Sequence, residues 1–380
     1  MNRSHRCWAE IDLHALRENL AWLRHRVGPD VKIMTVVKAD AYGHGLKQIA
    51  ALLMQSGTDV FGVANLTEAQ SIRAVGKGWP VLMLGACLPD EVESAVRDEI
   101  MPTISSLDEA RRFSRAAVKL GKPSSVHLKV DTGMGRLGCP PDDAVEVLTR
   151  TARLPGIRIA GLFTHFASAE DDAVFTNRQR LIFTRVLDRL RILGMAIPQV
   201  HADNSGAILH ETETMFDLVR PGLLVYGVAP AGKRRLQSTW QRHLRPALAW
   251  KCRVSLVKDI SRGTSLSYGR TFVAPRAMRV ATITAGYGDG YMRSGSNRAQ
   301  VLIRGRRCRV LGRITMDQTL VDVSRVPNVR TGDEVVLIGH QRGEEISTGE
   351  LAAWCGTIPW EILTDISYRV PRIYRGGQAA

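Results

Sequence analysis

The run Val36-Val37-Lys38-Ala39-Asp40-Ala41-Tyr42-Gly43-His44-Gly45 follows directly on Lys32-Ile33-Met34-Thr35. The apolar, β-branched part reads as a buried strand, and the polar, glycine-bearing part behind it reads as a turn. Lys38 therefore stands where a strand passes into a loop. In a barrel of alternating strands and helices, that is the end at which catalytic groups collect. A lysine there is a candidate amine nucleophile, because partial burial lowers its pKa.

Outward from this stretch the chain keeps a steady beat. Strand-like runs follow at 60–63, 81–84, 101–104, 126–130, 157–164, 199–202 and 218–226, with helix-like segments between them. Together with 32–38 they make eight strands. Strict alternation predicts a parallel sheet, and eight units in roughly 200 residues predict a (β/α)8 barrel of the TIM type. A doubly wound open sheet is the alternative. A short opening strand is expected at 8–13, with a helix behind it at 14–26. After about residue 231 the texture changes. Residues 233–245 read as a polar, basic linker, and short β-like runs separated by turn residues follow. They predict a second, β-rich domain with one short helix near 348–355, capped by Ser347 or Thr348. The expected division is 1–240 and 241–380.

Composition narrows the function. The chain has 380 residues, 44% hydrophobic and 23% charged, which suits a globular protein with a sizeable core. No apolar run approaches the ~20 residues that a membrane span needs. The first ten residues lack the apolar core of a secretory signal. Six cysteines lie singly, with no C-x-x-C pair, as free thiols in a reducing compartment would. These features point to the cytoplasm and give no metal-ligand pattern. The net charge is +15, and residues 241–380 carry 22 basic against 11 acidic side chains. The densest cluster, Arg304-Gly305-Arg306-Arg307-Cys308-Arg309, reads as a hairpin tip with outward charges. It lacks interleaved aromatics for base stacking, so nucleic acid is not the expected partner.

Polar groups recur at the predicted strand ends: Lys129 and Asp131, His165, Asn204-Ser205-Gly206, and Arg220-Pro221-Gly222. If the barrel forms, they converge with Lys38 on one mouth. Backbone N–H groups and a hydroxyl at Asn204-Ser205-Gly206 suit a phosphate, and Gly222 permits close approach. A lysine beside a phosphate pocket points to pyridoxal 5'-phosphate held as a Schiff base. Taken singly, His165 reads as a buried, satisfied histidine, Arg136 as a solvated arginine, and Asp131 as the neutraliser of Lys129. An unpaired buried lysine at 129 is harder to dismiss. In the second domain Ser267-Tyr268-Gly269-Arg270, Gly286-Tyr287-Gly288-Asp289-Gly290 and Gly312-Arg313-Ile314-Thr315-Met316-Asp317-Gln318 stand out. No dinucleotide, P-loop, zincin or nucleophile-elbow motif is present.

Val37 to Gly45 resembles the cofactor-lysine signature of bacterial alanine racemase, a fold type III pyridoxal-phosphate enzyme, and the likeness runs from about Trp8 to Arg372. The resemblance implies that Lys38 carries the cofactor. It implies Tyr42, Ser205, Gly222, Leu223 and Tyr368 at the phosphate, with Asn204 in the same motif, and Leu84 and His165 near the ring. Arg220 would contact the pyridine nitrogen. Tyr268 and Met316 would come from the second subunit of a homodimer with shared sites, the first as the opposing base and the second as a carboxylate contact. Arg136 would support the carboxylate and the Tyr268 phenol. Lys129, carbamylated in similar proteins, would orient Arg136, and Asp317 and Tyr287 would line the entrance. The implied activity is interconversion of L- and D-alanine, supplying peptidoglycan synthesis. A racemase for serine or a broader set is the near alternative, a decarboxylase or a cofactor carrier the more distant ones. Thr315 replaces the family's usual cysteine, and Met292 stands where proline is common.

Overall fold

The computed structural model describes residues 5–210, 216–230, 232 and 243–376. Most of the linker expected at 233–245 therefore lies outside the described residues. The chain forms two compact units. One gathers residues 17–41 and 45–244, the other residues up to Leu16, 42–44, and from Arg245 on.

The first unit is a closed barrel of eight parallel strands: Lys32–Val36, Val60–Val63, Val81–Ala86, Met101–Ile104, Ser124–Lys129, Ile157–Phe163, Val200–Asn204 and Leu218–Arg220. The pair Lys32↔Leu218 closes it, which excludes the open-sheet alternative. Met34, Val60, Leu82 and Leu218 pack together as one fully buried cluster. The helices between the strands start and stop where short-range chemistry dictates. Asn65, Ser106 and Asp172 accept backbone N–H bonds from the third residue after each, and Gly121 ends Leu107–Leu120 in the left-handed region.

The stretch behind Lys38 differs from the expected loop. Lys38–Gly43 is a helical turn of the wrong hand, with Ala39, Asp40, Ala41 and Tyr42 at φ of 52, 54, 54 and 52°. Left-handed helix costs about 1–2 kcal/mol per residue through the Cβ–carbonyl clash, so the turn persists only because its surroundings hold it. Glu68 accepts the Ala39 N–H at 2.7 Å and the Ala64 N–H at 2.8 Å. Asp40 accepts the Leu46 N–H at 2.7 Å, and the Asp40 carbonyl accepts the Gly45 N–H. Farther along, Arg372 donates to the Gly43 carbonyl at 2.9 Å and Tyr374 to the His44 carbonyl at 3.0 Å.

The second unit is β-rich. Its main sheet runs through the hairpin Gln300–Ile303 and Arg306–Arg309, then Glu334–Gln341, Leu248–Ile260, Cys7–Asp12 and Arg372–Arg375. The N-terminal strand expected to open the barrel domain thus belongs here. It pairs antiparallel at Cys7↔Cys252 and parallel at Ala9↔Arg372. Its apolar residues Cys7, Trp8, Ala9 and Ile11 are buried, but an apolar run does not say which distant strand is the partner. The short helix appears at Thr348–Cys355, with Ser347 and Glu350 forming a reciprocal capping box, and a second, unexpected helix follows at Pro359–Thr364. The arginine cluster is a hairpin as expected. Arg304 and Gly305 take positive φ at its tip. Arg304 pairs with Asp333, and Arg307 pairs with Glu344 and Glu350. All six cysteines are free thiols. No helix among the described residues is long and apolar enough to cross a membrane.

Candidate active site

The candidate residues of the barrel lie at the C-terminal ends of its strands or in the segments just beyond them, as Arg136, Ser205, Gly222 and Leu223 do. Lys38 is two residues past Val36, Lys129 ends Ser124–Lys129, and His165 is two residues past Phe163. Asn204 and Arg220 end their strands, and Leu84 lies near the end of Val81–Ala86. Parallel strands carry these ends to one mouth.

The mouth is strongly cationic. Lys38 is partly buried, and its amine is held below the ordinary lysine value by burial first and by the Arg136 charge second, against a smaller pull from Glu68. Lys129 is almost wholly buried and is brought down to about 8, by burial, then Arg136, then Arg220. Its Nζ lies 5.8 Å from the centre of the Phe163 ring. Asp131 opposes the Lys129 charge as expected, but more weakly than burial, Arg136 and Arg220 depress it. Its carboxylate accepts the N–H groups of Gly133, Met134 and Gly135, which shapes the loop carrying Arg136.

Arg220 is buried and tightly held. One terminal nitrogen sits 2.7 Å from His201 Nδ1. The other donates to the Thr164 and Ala202 carbonyls at 2.7 and 2.6 Å and lies 3.4 Å from His165 Nδ1. None of these bonds uses Nε. Burial lowers the guanidinium to about 10, which leaves it charged at neutral pH. Since Arg220 donates to His201 Nδ1, neutral His201 carries its proton on Nε2, 3.0 Å from His127 Nδ1, and His127 carries its own on Nε2. Burial and Arg220 keep both rings neutral: His127 falls to about 3 and His201 goes well below its ordinary value. His165 is depressed for the same two reasons.

Just past Arg220, the Gly222 N–H donates to Ser205 Oγ at 2.9 Å, leaving the hydroxyl proton free for a further acceptor. Asn204 serves as a cap instead: its Oδ1 accepts the Ala207 N–H, and its Nδ2 donates to the Phe166 carbonyl. Leu223 opens a 3-10 turn, whose first N–H has no partner within the turn.

The remaining candidates lie in the β-rich unit. Tyr42 is buried there. Tyr268 is 71% exposed, on a turn whose flanking Ser267, Gly269 and Arg270 all have positive φ. Ser267 Oγ donates to the Arg313 carbonyl at 2.6 Å, and both line a cavity of about 350 Å³ with Tyr268 and Thr315. Met316, Asp317 and Tyr287 come together. The Tyr287 N–H donates to the Thr315 carbonyl at 3.0 Å and the Gly288 N–H to the Met316 carbonyl at 2.8 Å. Thr315 Oγ1 donates to the Gln318 carbonyl, closing the loop without a cysteine. Tyr368 is 99% exposed. Among the described residues no cluster of His, Cys, Asp or Glu is placed to hold a metal ion. Glu68, His127 and His201 also shape the site, though no sequence motif marks them. The last two were legible only as polar residues inside otherwise apolar strands.

Two family models match the chain, the alanine racemase N-terminal domain over residues 11–230 and its C-terminal domain over 247–374. The alanine racemase of Halothermothrix orenii is 43% identical over 369 residues, 97% of this chain and 96% of its own length. The solved alanine racemase of Clostridium difficile superposes with a TM-score of 0.92 at 34% identity, covering 98% of this chain and 97% of that one. That of Bacillus anthracis, with bound L-Ala-P, gives 0.88 at 31% identity over 98% and 95%. End-to-end likeness across a barrel with this mouth and a β-rich unit with these loops leads to one conclusion: the chain is an enzyme of the alanine racemase family.

Proposed function

We propose that the chain interconverts L- and D-alanine with pyridoxal 5'-phosphate, as a homodimer whose sites each take Lys38 from one subunit and Tyr268 from the other. One observation carries the reading: a lysine with a depressed pKa shares the barrel mouth with a charged arginine whose Nε is left over from its bonds. When bound, the cofactor supplies a conjugated ring that stabilises negative charge at the substrate's Cα.

The residues fit such a group. Lys38 is the attachment amine. Arg220 Nε suits a ring nitrogen, and Leu84 and His165 suit the ring's faces and edge. Ser205, Gly222 and Leu223 offer a hydroxyl and backbone N–H groups to a phosphate, and the proposal adds Tyr42 and Tyr368 to that set. Asn204 supports it as the cap of the Ser205 helix. Because Arg220 is held by two carbonyls and His201, it stays put and protonated, and does not hand a proton to the ring.

The chain's own proton transfers follow. Lys38, less basic than a free lysine, is more often neutral near pH 7 and can take a proton from Cα on one face. Tyr268 serves the other face. Arg136 gives that phenol a cationic partner while holding the carboxylate. Met316 offers its backbone N–H to the same carboxylate, and Asp317 and Tyr287 border the approach. Lys129 first gives up one proton to become the neutral amine and then reacts with CO2: an N–C bond forms as one C=O bond opens to a carboxylate oxygen, a second proton leaves to solvent, and an anion replaces a buried cation facing Arg136. The large exposed side chains Tyr268, Tyr287, Met316 and Tyr368 are what a face reserved for a second copy would show. D-alanine from this reaction would supply peptidoglycan synthesis.

The test is a chiral assay of the purified protein with added cofactor against alanine, serine, lysine and arginine. Racemisation of alanine above the others is expected. Absence of racemisation, or preference for another amino acid, would refute the assignment. Sedimentation that found the active species strictly monomeric would refute the shared site.

A further inference from the structure

The Met316 peptide sits on a rigid platform within the β-rich unit. Gly286 is the floor. A Cβ there would lie 2.2 Å from the Thr315 carbonyl oxygen and 2.5 Å from that of Met316, so only glycine fits. The Tyr287 N–H pins the Thr315 carbonyl. Because a trans peptide sets N–H opposite C=O, the Met316 N–H points away from the platform. No described bond uses it as a donor.

Arg369 locks this arrangement. Its Nε donates to Asp289 Oδ1 at 2.8 Å, and a terminal nitrogen donates to Asp317 Oδ1 at 2.8 Å and reaches the Met316 carbonyl at 3.4 Å. Asp289 is itself buried, and its other oxygen accepts the Gly286 N–H at 3.0 Å. The Asp289 carbonyl accepts the Ser367 N–H. The pair with exposed Asp317 would contribute little alone. Tied to a buried, fully bonded carboxylate it becomes part of a fixed frame. Arg369 borders an open cavity of about 600 Å³ with Asp289, Asp317 and Thr284, so the frame faces space rather than core.

We infer that Arg369 is a positioning residue for substrate binding: by bridging Asp289 and Asp317 it fixes the Met316 peptide so that its N–H is aimed at a carboxylate. The inference rests on the reading of Met316 given under Proposed function. A guanidinium is required because two carboxylates and a carbonyl must be met from one planar fork. Lysine meets only part of the set.

The test compares Arg369→Gln and Arg369→Lys with the wild-type holoenzyme, by steady-state kinetics on alanine and by calorimetric binding of propionate, which keeps alanine's carboxylate and lacks its amine. Arg369→Gln is expected to raise KM and weaken propionate by about tenfold or more. Its kcat and cofactor absorbance should stay near wild type, with Arg369→Lys in between. Unchanged KM and propionate affinity in both variants, in a wild type that racemises alanine, would overturn the inference alone. An equal fall in kcat with no change in KM would also overturn it, since that marks a general structural effect. A wild type that racemises nothing would overturn the site reading and this inference together.

Discussion

Replacing Lys129 with methionine distinguishes two states of that side chain, because the expected signs are opposite. Lys129 is 2% exposed and surrounded by Arg136, Arg220 and Lys38, with Asp131 as the opposing charge. As an ammonium it titrates at about 8 in the fold against 10.5 for an ordinary lysine, a gap worth about 3 kcal/mol. The fold favours the neutral amine. The penalty on the charged form is therefore complete below pH 8 and fades as the pH rises toward 10.5. At pH 7 a bare ammonium would destabilise the barrel by about 3 kcal/mol, and methionine, similar in length but uncharged, would recover that. A carbamate reverses the logic. It is an anion among three cations, and methionine then strips Arg136 of its partner. The account expects Lys129→Met to lower the unfolding midpoint at pH 7 and raise KM for alanine, with mass spectrometry under mild conditions finding added CO2 on the wild type. A variant that melts higher, on the order of 5 °C or more, with KM unchanged, would refute the carbamate.

Three further outcomes are expected. Gly43→Ala forces a side chain onto φ of 75° and sets its Cβ 2.2 Å from the Leu363 carbonyl oxygen; denaturant unfolding should show a loss of about 2 kcal/mol or more. Gly286→Ala should raise KM for alanine, because its Cβ collides with the peptide that carries the Met316 N–H; an unchanged KM in a folded variant would contradict the platform. The acid limb of kcat against pH should lie below the ordinary lysine value, since burial and Arg136 favour neutral Lys38. Arg136→Gln removes a neighbouring cation, makes protonation of Lys38 easier, and should move that limb to higher pH.

The barrel was legible because its strands are short apolar runs and several of its helices open on a side-chain cap, at Asn65, Ser106 and Asp172, so local pattern and global fold agree. Lys38, Lys129 and Arg220 were legible because a charge at the end of a buried run is costly unless used. Three features were not. The left-handed turn at 39–42 contains ordinary residues, Ala, Asp, Ala and Tyr, whose local preference is against it; the Glu68 bond to the Ala39 N–H comes from distant sequence, as do the Arg372 and Tyr374 bonds to Gly43 and His44 behind it. The strand Cys7–Asp12 joins partners more than two hundred residues away, and a short apolar run carries no address. Arg369 reads in sequence as one of many surface arginines, and only its geometry to Asp289 and Asp317 sets it apart.

If two bases act on opposite faces of one carbon, α-proton washout separates their contributions. Each alanine enantiomer is incubated with Tyr268→Phe protein and cofactor in D2O, and loss of the α-proton is followed by NMR alongside a chiral assay. Racemisation should collapse equally in both directions, as an equilibrium constant of one demands. Washout should persist for the enantiomer whose proton faces Lys38 and stop for the other. Washout retained equally by both enantiomers, or lost equally by both, would contradict the account.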